Sequence, residues 1–169
     1  MKDLTYTLYN SEGDKFFLRL VSEGSQFLSE EMVSYLHEHD FELYGIYLER
    51  LGVAQKVAPI RLLNKISQLI ASFFIGHPNA ILFYQCDDIS DVPMSLSKKN
   101  QGTPVQEYRN RLFTKLFEKH ARKLSVSVVD TPIYIDACGN EVFIHLISRN
   151  IHTDFALAIS KDIHKGFDK

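Results

Sequence analysis

Tryptophan is absent from this chain, and cysteine occurs only twice, as Cys86 and Cys138. Two isolated cysteines cannot build a disulfide framework, so the sequence predicts reduced thiols and a cytoplasmic protein. No window approaches the roughly 18 uninterrupted apolar residues that a membrane span needs. The longest apolar stretches are residues 69–75, interrupted by Ser72, and residues 80–84. The opening Met1-Lys2-Asp3-Leu4-Thr5-Tyr6 lacks the basic head and apolar run of a secretory signal. Also missing are Gly-x-Gly-x-x-Gly, a Walker loop, Gly-x-Ser-x-Gly and the kinase motifs. Those absences argue against the ordinary nucleotide-binding enzymes, and no cofactor is expected.

What is present describes an ordinary globular chain. Its 169 residues are 45% hydrophobic and 24% charged, with twelve Phe and eight Tyr. A chain of this length buries about two-thirds of its unfolded surface without help from disulfides or metals. Residues 1–169 are therefore expected to form one domain. The net charge of −2 is unevenly spread, with 7 basic and 13 acidic side chains in residues 1–96 and 12 basic and 8 acidic in residues 97–169.

Periodicity predicts the elements. Leu4, Tyr6 and Leu8 alternate, as do Phe16, Leu18 and Leu20, around the turn formers Asn10 to Asp14, the pattern of an antiparallel hairpin. A short helix fits near residues 30–36, and residues 41–51 alternate again. Pro59 opens a helix over 59–75, with Leu63, Ile66, Ile70 and Phe73 on its buried side and Gly76 and Pro78 as its stop. Residues 80–84 are continuously apolar, like a strand buried on both faces. Thr103-Pro104-Val105-Gln106 is a capping box that starts a second long helix, running to about Ala121. Residues 124–135 read as a strand, and Pro132 within them marks an edge or a bulge. Cys138-Gly139-Asn140 turns that strand into 142–147, and residues 151–163 close the chain as a helix. The expected fold is α+β: a mixed, largely antiparallel sheet with helices packed on it, in the order β-β-(α)-β-α-β-α-β-β-α.

Three groups of residues could carry chemistry. At the end of the strand 80–86 stand Cys86, Asp87 and Asp88, where ligand sites of such sheets commonly lie. The following helix brings Arg109 to about 40° on a wheel whose apolar face centres near about 20°. An arginine there requires a partner, and Asp87 or Asp88 is the natural one. The group reads either as a structural ion pair or as a small hydrolase or phosphate-ligand site, with Cys86 a weak nucleophile and Lys98 and Lys99 on the long loop 89–102 able to reach an anion. On the polar side of the same helix, Arg111, Lys115 and Arg122 form a basic ridge that could face the phosphates of a nucleic acid, the alternative of a nucleic-acid-binding module. Glu107 and Glu118 stand four residues before Arg111 and Arg122, which also suits an ordinary solvated helix face. Finally, His37-Glu38-His39, if extended, would put two imidazoles on one face as half of a metal site, with no obvious third ligand.

The segments Ile70-Ala71-Ser72-Phe73-Phe74, Asn79 to Asp88 and Arg109-Asn110-Arg111-Leu112-Phe113 together resemble a family of small, uncharacterised bacterial proteins of Bacteroidetes type, a domain of unknown function. The shared pattern is an amphipathic helix, a buried strand ending Tyr-x-Cys-Asp, then an Arg-x-Arg-x-Phe helix. The resemblance implies a bacterial, cytoplasmic protein and carries no activity with it. The leading expectation is a non-enzymatic intracellular protein-interaction or regulatory module whose partner is another protein. Its positive hint is aromatic side chains available for exposure: Tyr9, Tyr35, Tyr44 and Tyr134.

Overall fold

The structure, a computed structural model, describes residues 3–11, 13–22, 27–51, 60–86, 105–123, 125–137 and 140–167. At residues 60, 86, 105–110, 113, 137, 140 and 141 the description extends to the backbone only. Asp87, Asp88, the loop 89–102 with Lys98 and Lys99, Thr103-Pro104 and Cys138-Gly139 thus lie outside the described residues.

The first hairpin joins β1 (Leu4–Tyr9) to β2 (Lys15–Ser22). Its turn satisfies its own polar groups: Asp14 N–H donates to the Asn10 side chain at 2.9 Å, and Asn10 Nδ2 donates back to Asp14 Oδ2 at 2.8 Å. Gly13 closes the turn at φ 86°, where a side chain would be strained. The register sets Leu8 against Phe16 and Leu4 against Leu20, so one face of both strands is apolar. β3 (Glu42–Leu51) continues the sheet antiparallel to β2.

α1 (Glu30–Glu38) begins at Ser29, whose hydroxyl accepts from Met32 N–H at 3.2 Å. It ends where Asp40 adopts φ 58° and Phe41 N–H reaches back to Leu36 O at 2.9 Å, a Schellman-type stop. α2 (Ile60–Gly76) connects β3 to the parallel strand β4 (Ala80–Cys86). α3 (Val105–Lys123) precedes the hairpin of β5 (Val128–Ala137) and β6 (Asn140–Arg149). A single 3-10 turn, Asn150–His152, then leads into α4 (Thr153–Phe167).

The six described strands form one sheet in the order β1-β2-β3-β4-β6-β5. Only the β3–β4 pair is parallel, as the helical crossover between them requires. β5 is an edge strand, which is where Pro132 can sit without depriving a neighbour of an N–H donor. The fold is α+β, as the sequence predicts.

Each face of the sheet buries its own core. On one, Leu62, Ile66, Ile70, Phe73 and Phe74 of α2, with Phe117 and Ala121 of α3, cover Leu18, Leu20, Ile46 and Leu82. On the other, Leu36 of α1 and Ala156, Ile159 and Ile163 of α4 cover Ile81, Phe83, Ile144 and Leu146. β4 supplies both cores by alternation, which explains its unbroken apolar run. Leu63 of α2 is only half-buried, and Leu62 and Phe74 take the deeper places. Between α2 and α3, buried His120 meets Asn64 Oδ1 at 2.9 Å. Burial, with Lys123 and Lys119 adding to it, holds that imidazole below its ordinary pKa.

Tyr44 departs from the exposed role expected of it. It is 3% exposed, edge-on to Phe73 at 4.9 Å, and its hydroxyl donates to Glu42 at 2.6 Å. Burial first, then that carboxylate, pushes the phenol above its ordinary range. Its position on β3 has the parity of Ile46, so it faces the core beneath α2.

Candidate functional site

Cys86 is the last residue of β4 and pairs in register with Phe143. Arg109 lies on the first half of α3. Their side chains, and both aspartates that were to receive the arginine, fall outside what is described. A buried arginine–aspartate pair does exist in this protein, near the end of the neighbouring strand β3. Arg50 Nη2 meets Asp14 Oδ2 at 2.6 Å with the arginine side chain 1% exposed, its guanidinium 5.6 Å from the Phe16 ring. Arg50 continues the Tyr44, Ile46, Leu48 alternation of β3, a signal that was available in the sequence.

Beside the end of β4 the fold assembles a group that sequence reasoning missed. β6 lies between β4 and β5, so His145 stands opposite both Tyr84 and Pro132. Its Nδ1 donates to the Asp130 carboxylate, 2.9 Å from each oxygen, and Thr114 Oγ1 of α3 donates to Asp130 Oδ2 at 3.0 Å. A carboxylate only accepts, so this contact puts the proton on Nδ1 and leaves Nε2 as the second ring atom to satisfy. The histidine side chain is 2% exposed, and Nε2 has no partner among the described residues. Asp130 and His145 are 15 residues apart on the two strands of the β5–β6 hairpin, so the turn formers at 138–140 carried a signal of this pairing once its register was drawn.

The basic ridge is where the wheel puts it. Arg111, Lys115 and Arg122 are all exposed along α3, and Arg122 Nη2 pairs with Glu118 Oε2 at 3.2 Å. An exposed pair of this kind contributes little, and it places negative charge within the ridge.

His37 and His39 require a correction. They lie at the C-terminal end of α1 and its cap, not on a strand. Two residues along a helix point about 200° apart, so the imidazoles do not share a face. His39 Nδ1 donates to Tyr35 O at 2.8 Å, and its ring rests between Tyr35 at 4.5 Å and Phe155 at 5.3 Å. Among the described residues no group of three His, Cys, Asp or Glu side chains is placed to hold a metal ion. No helix among them is long and apolar enough to cross a membrane.

A recess lies between α1 and α4. It holds about 540 Å³ and is lined by Met32, Tyr35 and Ala158 together with charged side chains. The two helices run antiparallel. At one end Ser29 N–H and Oγ both donate to Asp162, at 2.8 and 2.7 Å; at the other, Tyr35 stacks on Phe155 at 5.6 Å. Glu31 and Glu38 stand on the α1 wall, and Lys161 and Lys165 on the α4 wall. Tyr35 is 39% exposed at its rim. Tyr9 and Tyr134 are exposed elsewhere on the surface. This recess has the chemistry of a contact surface: apolar side chains in its lining, an aromatic rim and fixed charges of both signs. Searched against protein-family models, curated proteins and solved structures, the chain matches none of them.

Proposed function

We propose that this chain is a protein-interaction or regulatory module that receives a partner protein along the α1–α4 recess. The recess itself carries the reading. It is open, Met32, Tyr35 and Ala158 contribute apolar surface to it, and its two walls hold unlike charges. An elongated segment laid between the helices would cover Met32, Tyr35 and Ala158 while its flanks met the glutamates and lysines. Ser34→Arg would fill the recess from an exposed position on α1 without touching the core. A partner captured by the wild-type chain should bind this variant at least about tenfold more weakly, at an unchanged melting temperature. Equal capture by both would remove the recess from the interaction.

A second reading has one observation in its favour. An aspartate-oriented histidine stands two residues along the β4–β6 register from Cys86. A small hydrolase would use Cys86 as nucleophile and His145 as base, with Asp87, Asp88 and Arg109 around the substrate. In a Cys138→Ser background, such a thiol should be alkylated by iodoacetamide with an inflection below about pH 7. A single inflection near the ordinary thiol value of about 8.5 would end this reading.

A further inference from the structure

We infer that the occupant of the α1–α4 recess is a second copy of this chain, in a two-fold dimer whose axis runs along the recess. This rests on the recess being a docking surface and goes on to name what docks.

The basis is the arrangement of charge. Glu31 and Glu38 line one wall and Lys161 and Lys165 the other, and none of the four makes an ion pair with any described residue. Asp162, the remaining carboxylate of the α4 wall, is already occupied by Ser29. The Ser29–Asp162 contact fixes the register of the two helices. It places Glu31, two residues into α1 from its cap, close to the level of Lys161, with Lys165 about one turn further toward the end of α4.

Two copies can meet face to face on this surface in two simple ways. A two-fold axis across the recess lays α1 on α1 and α4 on α4. The acidic wall then faces an acidic wall and the lysine wall a lysine wall, which costs binding energy. An axis along the recess exchanges the walls and preserves level. The second copy's α4 then lies over α1, with Glu31 against the partner's Lys161 and the partner's Lys165 one turn away, and the reciprocal contact forms by symmetry. The same operation covers Tyr35, a large side chain otherwise left to solvent. The unpaired charges and the antiparallel helices thus favour one symmetric arrangement over its alternative.

Sedimentation equilibrium of the full chain decides it. At micromolar concentration the wild type should show twice the 19.5 kDa of one chain, weakening as salt rises. Glu31→Lys alone, and Lys161→Glu with Lys165→Glu, should each raise the dissociation constant about tenfold or more. Mixing the two variants should restore the dimer, because both symmetric contacts then join unlike charges; that rescue also shows both variants to be folded. A wild type that stays monomeric at several hundred micromolar, or a dimer indifferent to both reversals, overturns the inference. If such a monomer still captures another protein that Ser34→Arg releases, the docking reading stands and only the identity of the occupant is wrong. A monomer with no capture sensitive to Ser34→Arg removes both.

Discussion

Phe73→Ala should lower the unfolding free energy by about 3–5 kcal/mol, the usual cost of removing a large aromatic from a packed core. Phe73 is buried on the sheet-facing side of α2, stacked 3.9 Å from the His77 ring and edge-on to Tyr44 at 4.9 Å. The substitution leaves a cavity where α2 meets β3 and withdraws two aromatic contacts that a shorter side chain cannot replace. His77 Nδ1 donates to Phe73 O, so the ring lost is also the surface against which that histidine rests. Urea melts measure the effect directly. A loss under about 1 kcal/mol would mean that another face of α2 carries the core.

Asp130→Ala should cost about 1–3 kcal/mol, the penalty for leaving a buried donor without its acceptor. His145 is enclosed, and its Nδ1–H has the Asp130 carboxylate as its partner; Thr114 loses the same acceptor. His145→Leu should cost less, since it removes the polar group together with its need. The double variant Asp130→Ala with His145→Leu should therefore recover much of the loss, a coupling readable in a double-mutant cycle. Additive single effects would show that the two residues do not act as a pair.

Much of the fold was legible before any coordinates. The turn at Asn10 to Asp14, the helix stop at Gly76 and Pro78, the apolar run of β4 and the edge position marked by Pro132 are local signals, and each stands where the sequence predicts. The extent of α1 was less legible. Its helix runs on through His37 and Glu38, whereas reading those residues as extended gave two histidines a shared face that they do not have. Tyr44 was misjudged because an aromatic was weighed alone, without its parity against Ile46.

The sequence by itself determined the elements, their order and which stripe of each is apolar. It could do so because helix and strand periodicities depend on residues within about four positions of one another. Only the tertiary structure decided which side chains meet. β6 inserts between β4 and β5, and that order sets His145 opposite Tyr84, while the docking of α3 brings Thr114 to Asp130. The antiparallel approach of α1 and α4 makes a recess with acid on one wall and base on the other. The pairing of Arg50 with Asp14 spans 36 residues in the same way. Such contacts are set by sheet order and helix docking, which minimise exposed apolar area over the whole chain, and no local spacing encodes them.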